Sequence, residues 1–165
     1  MDISVPRRYL PLSLSKRDKK EQAKMLAKSR KLYKRKQYYT RKKVKSFHSK
    51  TSNHILNARK IYKLDSIVPS EELSHATGCS IASLQKIVNK GEGAYFSSGS
   101  RPNQTAQSWG IARLASAITA GKAAAVDYDI LEKGCDHKKK AFMLANKARK
   151  MYNHGRSRTA KVHIV

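Results

Sequence analysis

Histidine and cysteine come close together twice, as His75-x3-Cys79 and Cys135-x-His137. Four such side chains could hold a zinc ion tetrahedrally. The second pair is unusually tight for two ligands of one ion, and a lone cysteine is more often simply buried, so no metal is expected. Asp127, Asp129 and Glu132 share one short segment. Separations of two and three residues do not bring these acids together as a metal or acid–base pair, and pairing with the chain's own Lys and Arg suits them better. No nucleophile has a base beside it. The expectation is therefore a protein that is not an enzyme, with no catalytic residue and no cofactor.

Two further patterns could bind rather than react. Ser70–Val88, SEELSHATGCSIASLQKIV, resembles a helix-turn-helix, with Gly78 at the turn and Leu73, Leu84 and Ile87 closing a hydrophobic triangle. Its second helix would offer Ser80, Ser83, Gln85 and Lys86 to a major groove, without an Arg for guanine. A plain helical corner fits the same residues. The loop Gly91–Asn103 could cradle an anion at the start of the following helix. It lacks the Gly-x4-Gly-Lys-Ser/Thr spacing of a nucleotide loop, and an ordered turn against the core is the simpler reading.

Charge is the strongest signal. Over 165 residues the formal net charge is +25. Arg7–Lys63 carries 21 basic and two acidic residues, Leu64–Glu132 five and seven, and Lys133–Val165 ten and one. This divides the chain into a basic N-terminal arm (1–63), a near-neutral core (64–132) and a basic C-terminal helix and tail (133–165). So large an excess repels itself and calls for an anionic partner: nucleic acid, an acidic protein surface or lipid headgroups. Lys16, Arg17, Lys19, Lys20, Arg30, Lys31, Lys34, Arg35, Lys36, Arg41, Lys42 and Lys43 are the candidate contacts in the first arm, interleaved with Tyr33, Tyr38 and Tyr39. Phosphates would attract the cations, and the tyrosines could stack on bases. Arg59, Lys60, Arg149 and Lys150 extend the set, because KSRKLY, NARKIY and KARKMY repeat one pattern ending at Tyr33, Tyr62 and Tyr152. In each, an Arg-Lys pair flanks a narrow apolar seam at helical spacing.

These residues must be positioned by helices. Ser15 caps one running to about Lys36, and Asn53–Lys63 forms a second. A third begins at Glu71 and stops at Gly78, and Ser80 caps a fourth that lasts to Lys90. Thr105–Ala120 is apolar on most of its circumference and reads as the central helix. Lys122–Lys133 forms another, and Asp136 caps the last, to about Asn153. Met1–Leu14 is an extended lead-in and Tyr38–Ser52 an exposed connector, while the tail from Gly155 frays. With no sustained strand alternation, the fold class is all-α, a bundle of six to seven short helices with basic arms. Cys79 and Cys135 make no disulfide framework and point to a reducing compartment. No apolar run reaches the length of a membrane span, and MDISVPRRYL lacks the apolar core of a signal peptide.

In order and content, KSRKLY, SFHSKTSNHILNARKIY, PSEELSHATGCS and the stretch from Lys90 to Leu131 resemble a family of small basic proteins of large nucleocytoplasmic DNA viruses of algae, the chlorovirus type. The resemblance spans Leu10–Tyr152, and its most specific part is GSRPNQTAQSWGIARLASAI (Gly99–Ile118). It implies an icosahedral virion with an internal membrane and many minor capsid proteins, but no activity. The motif positions it marks are Gly93, Ser98, Gly99, Arg101, Pro102, Trp109 and Arg113, none with a chemical role. The resulting expectation is a minor structural protein that bridges capsid proteins through their acidic surfaces on the inner side of the shell. It would be oligomeric through the capsid lattice alone, and would reside in the virion and, during assembly, in the host cytoplasm or nucleus. The alternative is a DNA-binding protein, for packaging or regulation.

Overall fold

Serines start four of the helices, Ser80 among them through the backbone N–H of Ser83. Ser15, Ser52 and Ser70 accept hydrogen bonds from the backbone N–H of Asp18, His54 and Leu73, satisfying donors that the first turn leaves free. The computed structural model describes residues 3–164. In chain order it contains β1 (Ile3–Pro6), α1 (Lys16–Tyr33), α2 (Asn53–Tyr62), α3 (Glu71–Thr77), α4 (Ile81–Ser97), α5 (Ala106–Ala117), α6 (Lys122–Val126), α7 (Tyr128–Gly134), α8 (Lys140–Met151) and β2 (Lys161–Ile164). Single 3-10 turns lie at Arg7–Tyr9 and Asn153–Gly155. The fold is all-α, with one small antiparallel ribbon in which Ile3 lies opposite Ile164 and Pro6 opposite Lys161.

Packing divides the chain along lines that charge does not follow. One compact unit comprises Met1–Lys50, Glu92–Trp109 and Arg158–Val165, and the other Thr51–Gly91 and Gly110–Ser157. The first has 21 basic and four acidic residues, a net +17, and the second 15 and seven, a net +8. Two apolar clusters hold the first unit. Val5, Tyr9, Leu10, Leu26 and Ile164 pack together, with Trp109 edge-on to Tyr9 at 5.9 Å, and Leu14, Met25 and Val44 form the other. The second unit has a single larger core that includes Leu73, Leu84, Ile87, Leu114, Ile118, Leu131 and Phe142. Each of the three repeated seams docks: Leu26 and Ser29, Ala58 and Tyr62, and Ala145 and Ala148 are buried. Burial pushes the Tyr62 phenol far above its ordinary value, and its hydroxyl donates to the Ile118 carbonyl.

Several expectations need correction. The irregular loop expected from Gly91 is helix as far as Ser97. Gly91 lies against Gly110, where a Cβ would come within 2.6 Å of the Gly110 Cα, so backbone proximity offsets the poor helix propensity of glycine. The central helix ends at Ala117, and Ala120 turns left-handed at φ 61° before Gly121. The helix expected over Lys122–Lys133 is two, meeting at Asp127. Asp136 does not cap the last helix. Its carboxylate accepts from Lys138 N–H in a local turn, and α8 starts only at Lys140. The tail does not fray, because β2 pairs with β1.

The two cysteines are also not free thiols. Cys79 and Cys135 form a disulfide between residues 56 apart in sequence. Ser80 N–H donates to Gly134 O and Asp136 N–H to Gly78 O, which joins the turn after α3 to the turn after α7.

Candidate polyanion-binding site

The connector 38–52 has neither helix nor strand before Asn53, yet in its first-unit part, up to Lys50, the backbone is fixed. Asn103 Oδ1 accepts from Val44 N–H at 2.7 Å, and Asn103 Nδ2 donates to the carbonyls of Val44 and Phe47. A left-handed φ of 62° at Asn103 suits this Asn at the end of the Gly/Ser loop. Arg41 lies at the centre of the arrangement. Its N–H donates to the Tyr95 hydroxyl at 2.9 Å. Its guanidinium donates to Ser29 Oγ, the Tyr95 carbonyl and Ser100 Oγ, each at 2.8 Å, and lies 3.8 Å from the Tyr95 ring centroid. Arg41 is 6% exposed, so it is an internal strut and not a surface contact, which corrects its place among the candidate polyanion-binding residues. Burial pulls its pKa below the ordinary value, against the opposing effect of Tyr95.

The Gly/Ser loop closes over this strut. Arg30 Nε donates to Ser98 O at 2.9 Å. Gly99 has φ +127°, and a Cβ there would come within 2.8 Å of Leu26 Cδ2. Backbone angle and neighbours alike therefore require glycine. Pro102 is buried, and burial, followed by repulsion from Arg8, lowers the Arg101 pKa. Gly93 has open space around it, inside α4. The loop thus holds Arg41 through Ser100.

The exposed cations lie outside the strut. Lys16, Arg17, Lys19, Lys20, Lys31, Lys34, Arg35, Lys36, Lys42 and Lys43 are all exposed. Two cavities border α1. One, of about 330 Å³, is lined by Leu10, Lys16, Lys19, Lys20, Ala23, His163 and Ile164. The other, of about 490 Å³, is lined by Ile3, Ala27, Arg30, Lys31, Tyr33, Lys34 and Ser97. Positions 16, 19, 20, 23, 27, 30 and 31 of α1 and Lys34 just past its end recur with the spacing of a single helix face, and Tyr33 flanks it. Among the described residues both ion pairs converge on Asp127 in the second unit, so none of these α1 cations has a carboxylate partner there.

A family model described as a family of unknown function, DUF5824, matches residues 6–133. The chain belongs to this family. The matched span takes in Arg41, the Gly/Ser loop and the whole cation face of α1. No curated protein and no solved structure matches the chain.

The remaining sequence candidates of this DUF5824 chain lie in its second unit. The helical corner is present: α3 ends at Gly78, with φ 78°, and Leu73, Leu84 and Ile87 are fully buried. Its recognition face is partly occupied by the chain itself. Ser80 Oγ donates to Ser83 Oγ and accepts from Ser83 N–H, and a Cβ on Gly134 would overlap Ser83 Oγ, so the start of α4 lies under the end of α7. Gln85, bonded to Asn89, and Lys86 stay exposed. Arg113 has the role that sequence did not give it, a two-pronged pair at 2.8 Å to each oxygen of buried Asp127, with Lys90 at 3.1 Å. Arg59, Lys60, Arg149 and Lys150 are all exposed, and Arg149 also lies over the Tyr128 ring at 4.4 Å and donates to His154. Of the four residues considered for zinc, the cysteines are bonded to each other, and His137 stacks on Phe142 at 4.0 Å.

Residues that the sequence did not reveal are Ser29, Tyr95, Ser100 and Asn103, which hold Arg41 and the connector. A usable signal was present in Val44 and Phe47, apolar residues that a fully solvated connector would not need.

Proposed function

We propose that the chain is a non-enzymatic minor structural protein of the virion of a large icosahedral DNA virus, cementing neighbouring capsid proteins from the inner side of the shell through their acidic surfaces. The observation that carries this reading is the first unit. It folds around a strut that needs no acid, and it leaves the α1 cations without carboxylate partners among the described residues. Such a surface awaits negative charge from a neighbour, and contacts of this type are strong at low salt and weaken as salt rises. The viral setting is supported by the likeness over Leu10–Tyr152 to small basic proteins of algal DNA viruses. A regulatory role through the α3–α4 corner has less support, because Ser80 and Ser83 bond to each other beneath Gly134.

The deciding experiment is to strip purified virions of DNA and measure the protein that remains. A structural protein stays with the shell at fixed stoichiometry and leaves only when salt is raised. A protein that departs with the genome at low salt would overturn the reading in favour of packaging.

A further inference from the structure

The C-terminal end of α1 carries more than charge. The chain reverses there through Lys36, at φ 58°, and brings Tyr38 back beside Tyr33. The Tyr33 and Tyr38 ring centroids are 6.2 Å apart at 57°, and those of Tyr38 and Phe96 5.2 Å apart at 54°. Phe96 in turn meets buried Tyr95 edge-on at 5.0 Å, so the row is anchored at its inner end to the residue under Arg41. At its outer end Tyr38 is 69% exposed and Tyr33 38%. Neither contact is a parallel stack, and both outer rings remain open to solvent. The 490 Å³ cavity opens beside Tyr33, with Ile3 and Ala27 as apolar wall and Arg30, Lys31 and Lys34 as cations.

A basic last turn alone would need no partner, since cations complement a helix C-terminus. That account does not explain the exposed aromatic row or the apolar-walled cavity. Duplex DNA does not explain them either, because its bases are stacked internally and present only their edges in the grooves. Aromatic faces flanked by cations are the arrangement that holds unpaired bases while tracking a phosphate backbone.

From this we infer a binding site for single-stranded nucleic acid at the end of α1. Tyr38 and Tyr33 stack on successive bases, one base entering the cavity beside Tyr33, and Arg30, Lys31 and Lys34 neutralise the adjoining phosphates. The site uses some of the cations invoked for shell binding but does not depend on the protein's place in a virion.

The test is fluorescence anisotropy of the full chain with a labelled oligothymidylate, a duplex of equal length and a polyglutamate peptide, over a range of salt. The single strand is expected to bind most tightly. Tyr38→Ala should weaken it about tenfold, the effect of losing one stacked base, with the duplex unaffected, and Tyr38→Phe should restore it. Removing Lys31 and Lys34 together should lower the salt slope by about 1.4, or 0.7 for each phosphate contact. Removing Lys133 from α7 and Lys147 from α8, both exposed, should leave the preference for single strand unchanged. Helical circular dichroism checks the fold of each variant, and photocrosslinking of the unaltered protein should map to Tyr33 or Tyr38. If Tyr38→Ala binds like the parent, if duplex or polyglutamate binds as tightly, or if crosslinks map elsewhere, the site is only an electrostatic patch and the inference fails.

Discussion

Arg41 and Arg113 solve one problem in two ways. Both withdraw a guanidinium from water, which is costly unless its donors find acceptors. Arg113, in the second unit, meets a carboxylate with both prongs and shares it with Lys90. Arg41, in the first, meets two serine hydroxyls, a backbone carbonyl and the face of a tyrosine, all of them neutral. The difference follows from composition. The second unit has seven acids to draw on and the first four against 21 bases. Neutral acceptors also leave the first unit's net charge intact. What the comparison teaches is that the basic unit is stabilised without being neutralised, so its attraction for anions survives folding.

The largest expected effect is on the second unit, which alone has a covalent tie. Closing a loop of 56 residues should stabilise it by about 4 kcal/mol in the chain-entropy account. Reduction, or replacement of Cys79 and Cys135 by Ala, should lower the urea midpoint accordingly. Hydrogen exchange should rise first at core amides such as those of Leu84 and Leu131. Were the first unit's amides to lose protection first instead, the contrast between a tied and an untied unit would be wrong.

Next come the arginines themselves. Asp127→Ala should cost about 3 kcal/mol, since it leaves Arg113 and Lys90 facing a buried vacancy with no counter-charge. Lysine substitutions sharpen the comparison. Arg113→Lys should cost less than about 1 kcal/mol, because an ammonium still pairs with Asp127. Arg41→Lys should cost about 2 kcal/mol, because it cannot reach Ser29, Ser100 and the Tyr95 carbonyl while lying flat on the ring. Equal losses in the two, measured by chemical denaturation, would mean that charge and not the planar fork holds Arg41.

How far sequence could anticipate this depends on the range of each interaction. Caps at Ser15 and Ser80, the turn at Gly78 and the seams ending at Tyr33, Tyr62 and Tyr152 were legible, because each is fixed within one or two helical turns. The β1–β2 ribbon was not, since four-residue strands show too little alternation and their partners lie at opposite ends of the chain. Gly91 and Gly93 read as loop until Gly110 is known to lie against Gly91, a contact that the central helix supplies. The same holds for Arg41. Among so many basic residues nothing local marks the one that turns inward, and its acceptors are 12 to 59 positions away.

The smallest effect tests the first unit's few acids. Asp18 accepts from Ser46 Oγ at 2.6 Å and from Ser46 N–H at 2.8 Å. The side-chain bond first, then the backbone bond, holds its carboxyl below the ordinary carboxylate value. A carboxyl that is more acidic in the folded state binds its proton more readily when unfolded, so the stabilisation is fully present above the unfolded pKa of about 4. It should fade as the pH falls from there through the folded value. Urea midpoints for the parent and Asp18→Asn should therefore differ by a constant amount from neutral pH to about 5 and converge below 4. The group is only partly withdrawn from water, so the gap should be the smallest of the three effects. A gap that widened on acidification would mean that the protonated carboxyl is the better partner for Ser46. The one acid at the start of α1 would then reinforce the unit's positive charge instead of offsetting it.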